Sequence, residues 1–170
     1  MPVPPNPVRS AFRVQAAGGR PVHVLGNELL IKISSEDTAG AFTVFEGQTE
    51  PLTGPPLHRH PNQDEWWHIL DGEFRFEVDG QEIYARAGDT VFAQRGSRHT
   101  FQNVGSKPGR TLTTVVPGGV DCFFQDLEAV APRGAVPDPA KMRAVFEKHG
   151  QELLGPPLAA RPIAAGSPNP

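Results

Sequence analysis

His58-Arg59-His60 and, five residues on, Glu65 put two imidazoles and a carboxylate in one short stretch, and His99 supplies a third imidazole after a Gly88 to Gly96 segment. On an extended strand successive side chains alternate faces, so His58 and His60 can both reach into one cavity. The spacing leaves room for a bend before Glu65 and for a return to a neighbouring strand carrying His99. Imidazoles with a carboxylate suit one divalent transition metal ion, with Fe, Mn, Ni, Co, Cu and Zn all compatible. Three imidazoles and one carboxylate leave one or two positions of an octahedral ion open to water, substrate or dioxygen, as catalytic sites require and structural sites do not. One carboxylate against a divalent ion also leaves net positive charge in the pocket, which favours an anionic or enolisable ligand. The competing reading is a barrel without metal, in which the same four side chains make ordinary hydrogen bonds.

Alternation from Glu65 places Trp67 and Ile69 on the cavity side and Trp66 and His68 on the other. The same count from His99 turns Phe101 inward, and Phe92 and Gln94 are expected to line the next strand. Trp67, Phe92 and Phe101 would then form an aromatic wall suited to a flat or aromatic substrate, with Gln94 beside them, although aromatics equally serve as plain core. Arg95 and Arg98 are read either as anchors for a carboxylate or as solvent-exposed cations.

The elements that must hold these residues are short strands. Val22 to Ile33 reads as a hairpin turning at Gly26-Asn27, and residues 41 to 46 as a strand ahead of a Gly- and Pro-rich loop that delivers His58. Phe74-Arg75-Phe76-Glu77-Val78 has the period of a half-buried strand, Asp79-Gly80 is a two-residue turn, and Gln81 to Ala85 returns antiparallel. Thr90 to Ala93 is the next strand, and Thr100 to Val104 is expected to pair with Arg110 to Val116 around Gly105 to Gly109. Short strands with turns between them indicate an all-β sandwich or barrel. Beyond Gly118 the period changes to that of helices: one over Cys122 to Val130, and one capped by Asp138, opened by Pro139 and closed by Gly150, which leaves His149 at a helix end. Residues 1–20 form an N-terminal arm, 21–118 the barrel, 119–154 the helical segments and 155–170 a Pro- and Ala-rich tail.

These motifs resemble those of the cupins. The first cupin motif ends His-x-His, three or four residues, Glu, six residues, Gly, met by His58, His60, Glu65 and Gly72. The second is met by Gly88, Gly96, His99 and Asn103. Gln94 stands where that motif has proline, and Leu52 where a glycine is expected, with Gly54 nearby. The resemblance implies a double-stranded β-helix, or jelly-roll, barrel with His58, His60, Glu65 and His99 as metal ligands. With the trailing helical segments and Gly155-Pro156-Pro157, the chain looks like the quercetin dioxygenase-like group of single-domain cupins. That likeness implies a dioxygenase in which Glu65 is both ligand and catalytic base. A metal-dependent isomerase or lyase, and a non-catalytic metal-containing binding protein, are the alternatives, since one fold hosts many functions.

With 170 residues the chain suits one domain, and its net charge of -3 gives no basic footprint for nucleic acid. A lone cysteine, Cys122, cannot make an internal disulfide. No apolar run of about 18 residues is present, and Met1 to Phe12 lacks the centre of a signal peptide, so no membrane association and a cytoplasmic location are expected. The expected partners are a small-molecule substrate and a second copy of the chain, because proline-rich arms and open sheet edges favour a homodimer.

Overall fold

Alternating apolar residues and turn dipeptides build most of this computed structural model, which describes residues 11–25, 27–134 and 136–158. Among the described residues eleven strands and two helices follow in order: β1 Arg20–Val24, β2 Asn27–Ile33, β3 Thr43–Thr49, β4 Pro56–Arg59, β5 Asp64–Asp71, β6 Glu73–Val78, β7 Gln81–Arg86, β8 Thr90–Ala93, β9 Arg98–Asn103, β10 Gly109–Val116, α1 Val120–Val130, α2 Pro139–Lys148 and β11 Glu152–Pro157. They form a six-stranded sheet, β1-β2-β3-β10-β5-β8, and a five-stranded sheet, β11-β4-β9-β6-β7, antiparallel throughout. Consecutive strands repeatedly change sheet, which is the double-stranded β-helix, jelly-roll arrangement.

Asp79 and Gly80 both have positive φ, 48° and 85°, and join β6 to β7 with Val78 opposite Gln81, as the sequence predicts for a tight hairpin. The first hairpin turns one residue earlier than expected. Val24 pairs with Asn27, so Asn27 already belongs to β2, and Gly26 lies outside the described residues.

Three expectations are corrected. β9 and β10 do not pair: β9 sits between β4 and β6 in one sheet, and β10 between β3 and β5 in the other. The intervening turn crosses between sheets, held by the buried Asn103 amide, which donates to Thr49 O and Lys107 O while its oxygen accepts from Gly105 N. Arg75 is buried, not exposed, although its β6 neighbours Phe74 and Phe76 alternate as expected. Its guanidinium meets Gln102 and Glu82 on the outer face of the sheet. The loop before β4 covers part of that face: Leu52 N donates to Asn103 O and Asn103 N donates to Thr53 O, and a Cβ on Gly54 would stand 1.8 Å from Phe101 O. Finally, residues 152–157 are a strand on β4, with Leu153 opposite His58, so the segment expected as the end of the helical region and the start of a tail instead extends the five-stranded sheet. Residues 1–10 of the expected arm and 159–170 of the tail lie outside the described residues.

Both helices follow their sequence signals. Asp138 caps α2 by accepting from Ala140 N and Lys141 N, with Pro139 at the first position. Asp121 docks α1 on the larger sheet, its buried carboxylate accepting from Thr43 Oγ1, Ser35 N and Arg20. α2 is tied to α1 through Lys148 and His149, which share Asp126.

Candidate metal centre

β4, β5 and β9 carry the four chemistry-bearing side chains to one point. His58 lies directly opposite His99 across the β4–β9 pair, His60 follows the end of β4, and Glu65 is the second residue of β5. One ligand-type atom from each of His58, His60, Glu65 and His99 lies within 4.8 Å of all the others. The three rings and the carboxylate are buried or half-buried, His60, Glu65 and His99 almost completely.

Hydrogen bonds decide which ring nitrogen faces the centre. Nδ1 of His58 donates to Pro56 O at 2.8 Å and Nδ1 of His99 to Ser97 O at 3.0 Å, and carbonyl oxygens can only accept. His60 Nδ1 lies 3.1 Å from Gln63 Oε1, and Gln63 Nε2 donates to Pro117 O, so that amide oxygen is the acceptor and His60 Nδ1 carries the proton. Burial lowers all three imidazoles, His58 to about 3 and His60 and His99 to about 4, so the rings are neutral near pH 7. Their Nε2 atoms therefore present lone pairs.

The lone pairs of two rings meet an oxygen. His60 Nε2 is 3.4 Å and His99 Nε2 3.2 Å from Glu65 Oε2, and none of these three buried atoms has a hydrogen-bond partner. Acceptors facing one another without a proton or cation between them repel, and a buried unsatisfied polar atom costs about 1–3 kcal/mol. A shared divalent cation relieves both, so the donor set fits a transition metal ion of the His-and-carboxylate kind. The Nδ1 contacts are the outer hydrogen bonds that orient metal-binding imidazoles. Burial pushes the Glu65 carboxyl up to about 7, with His60 pulling the other way. A cation beside it would keep it ionised.

A cavity of about 100 Å³ opens onto His58, His60 and Glu65. Trp67 and Phe101 line it, as alternation predicts, Trp67 with its ring 5.3 Å from that of His99. Phe92 and Gln94 do not. Phe92 is 56% exposed and pairs with Trp66, while Val91 and Ala93 stand opposite Trp67 and Glu65, because residues opposed across an antiparallel pair share a face. The expected aromatic wall is instead completed by Phe45 of β3 and by Phe123 and Phe124 of α1. The helical period of 122–130 was readable, but not that its aromatic face roofs the barrel. Gln151, between α2 and β11, also lines the cavity, and no motif marked it. His68 contacts Thr90 on the outer side of β5, and Arg95 forms an exposed bidentate pair with Asp64. Arg98 reaches Asp79, so neither arginine faces the cavity.

Residues 42–115 match the family model for the cupin domain. The matched residues lie within the two-sheet barrel, whose arrangement is of the jelly-roll class, so over this stretch the chain is similar to the cupins. Among curated relatives, the chain is 26% identical over 112 residues to the tetracenomycin polyketide synthase protein TcmJ of Streptomyces glaucescens, covering 65% of this chain and 74% of that protein. It is 32% identical over 66 residues to an oxalate-binding protein of Thermotoga maritima, covering 39% of this chain and 54%, about half, of that protein. A solved structure described as a predicted oxalate decarboxylase from Thermotoga maritima superposes with a TM-score of 0.57 at 23% identity, over 62% of this chain and 99% of the other, a likeness of fold. Among the described residues no helix is long and apolar enough to cross a membrane.

Proposed function

We propose that this protein is a metal-dependent cupin oxidoreductase, a dioxygenase acting on a small enolisable or aromatic substrate, with His58, His60, Glu65 and His99 holding one divalent transition metal ion. The observation that carries the metal reading is the set of unpartnered atoms at 3.2 and 3.4 Å, two imidazole nitrogens on one carboxylate oxygen, which one cation satisfies together and a proton on Glu65 could satisfy on one side only. The ion would supply Lewis acidity and a binding position for dioxygen or substrate.

The chain's own residues account for the rest. Trp67, Phe101, Phe123 and Phe124 exclude water from the cavity and bound the substrate's flat faces. Glu65, kept ionised by the ion it would hold, is placed to accept a proton from a substrate hydroxyl. The cavity, about 100 Å³, is small for a ligand pocket, which favours a small substrate or a roof that moves outward for a larger one.

A second reading rests on that size and on the relative named as oxalate-binding: a cupin that holds a small anion on its ion without turnover. Metal analysis of protein purified without chelators, followed by oxygen uptake over small enols, diketones and flavonols, separates the two. Metal with substrate-dependent uptake supports the dioxygenase. Metal and tight anion binding without uptake leaves the binding protein, and turnover without uptake leaves an isomerase or lyase. In the oxygenase case Glu65→Gln retains metal and loses at least about a hundredfold in turnover, the scale of a positioned base. The homodimer and the cytoplasmic location belong to the same proposal, and light scattering of the full chain checks the former.

A further inference from the structure

Gln151 is 3% exposed, lines the cavity beside His58, His60 and Glu65, and its Oε1 is buried without a hydrogen-bond partner. Its backbone is fixed. Gln151 N donates to Phe146 O and Gly150 N to Glu147 O, and Gly150 has φ 65°, so the end of α2 is a Schellman turn that needs the left-handed glycine to deliver the next residue. Glu152 pairs with Arg59 in the antiparallel β11–β4 register, and one step further along the two strands lie Gln151 and His60. A rigid turn and a strand pair thus set Gln151 across from His60, on the lining of a cavity that is otherwise largely apolar.

A buried glutamine oxygen without a partner costs stability, so a ligand that donates to it gains what the protein forgoes. We propose that Gln151 is a substrate-positioning residue of the metal site, its side-chain oxygen accepting a hydrogen bond from a hydroxyl of a small ligand whose anionic or enolic end binds at the ion. The ligand class is therefore a hydroxyl-bearing acid or enol, in preference to an anion of the same size that carries acceptors only. The inference rests on the reading of His58, His60, Glu65 and His99 as the holders of an ion with an open position.

The test uses the full chain loaded with Co²⁺, whose visible spectrum reports binding without turnover, titrated with glycolate and with acetate. The wild type is expected to prefer glycolate, and Gln151→Met to lose about tenfold of that preference, the scale of one hydrogen bond to a buried acceptor, with acetate affinity and cobalt content unchanged. A merely structural glutamine would instead show itself as a lower melting temperature of the metal-free variant and equal weakening of both anions, and that result overturns the proposal. So does an unchanged glycolate-to-acetate ratio. If Gln151→Met does not take up cobalt, Gln151→Asn, which withdraws the amide by one methylene, is read by the same ratio. Wild-type protein whose cobalt spectrum responds to neither anion overturns the small-ligand reading of the site itself, a result distinct from an unaltered ratio in the variant.

Discussion

Two hydrophobic clusters flank the metal centre, and they are built differently. One gathers Trp67, Ile69, Phe74, Phe76, Ala85, Val91 and Ala93 from β5 to β8, strands joined by short turns. Phe74 and Phe76 are wholly buried, and the rings of Trp67, Phe76 and Phe101 lie within 5.2–6.2 Å of one another. The other joins Val22, Ile31, Phe45 and Val115 of the larger sheet to Val120, Phe123, Phe124 and Leu127 of α1 and Phe146 of α2. The ligand rings touch both: Trp67 packs on His99, and Phe146 lies 6.5 Å from His58. A locally built cluster forms one wall of the centre, while a roof assembled from distant parts of the chain forms the other. The wall therefore carries stability, and the roof sets the volume above the cluster of His58, His60, Glu65 and His99.

The largest effect belongs to the junction itself. Replacing His60 and His99 together with alanine is expected to abolish stoichiometric metal by elemental analysis, and retained metal would remove these residues from the ligand set. Next comes the contrast between wall and roof. Phe76→Ala leaves a void in a fully buried cluster and should cost about 3–5 kcal/mol in urea unfolding. Phe124→Ala, at the edge of the roof and 9% exposed, should cost less, keep its metal and admit larger ligands. If Phe124→Ala proves the more destabilising, the division between wall and roof fails.

Acid sharpens the same comparison in metal-free protein. The three imidazoles have folded values of about 3 to 4 against 6.5 when unfolded, so between about pH 4.5 and 6.5 the unfolded chain holds protons that the folded one does not, and stability rises with pH. Glu65 acts in the opposite sense. Raised from 4.5 to about 7, it holds a proton in the folded state that the unfolded chain releases, so its contribution falls across that window. Three histidines against one carboxyl predict a net gain in urea midpoint from pH 4.5 to 6.5, ending near 6.5. A midpoint that falls through this range would contradict the burial of neutral rings. The smallest effect is expected at Phe92, on the outer face: Phe92→Ser should leave cobalt-site anion affinity unchanged and stability nearly so, whereas loss of affinity would return it to the cavity.

The convergence of His58, His60, Glu65 and His99, the β6–β7 hairpin, Trp67 and Phe101 facing inward, and the capping of α2 were legible in the sequence, because strand parity, turn chemistry and helix caps act over a few residues. Parity failed at Phe92 and Gln94 because a strand's own alternation does not say which of its two faces is inside: that depends on its register with β5, where Val91 meets Trp67. The pairing of β9 and the place of residues 152–157 depended on strand partners far away in sequence, and those pairings exist only once two sheets have closed. Gln151 carried no local signal at all. Its type was set by the chain, but its burial beside His60 was decided by the turn after α2 together with the docking of β11 on β4, an arrangement spanning more than ninety residues of sequence separation.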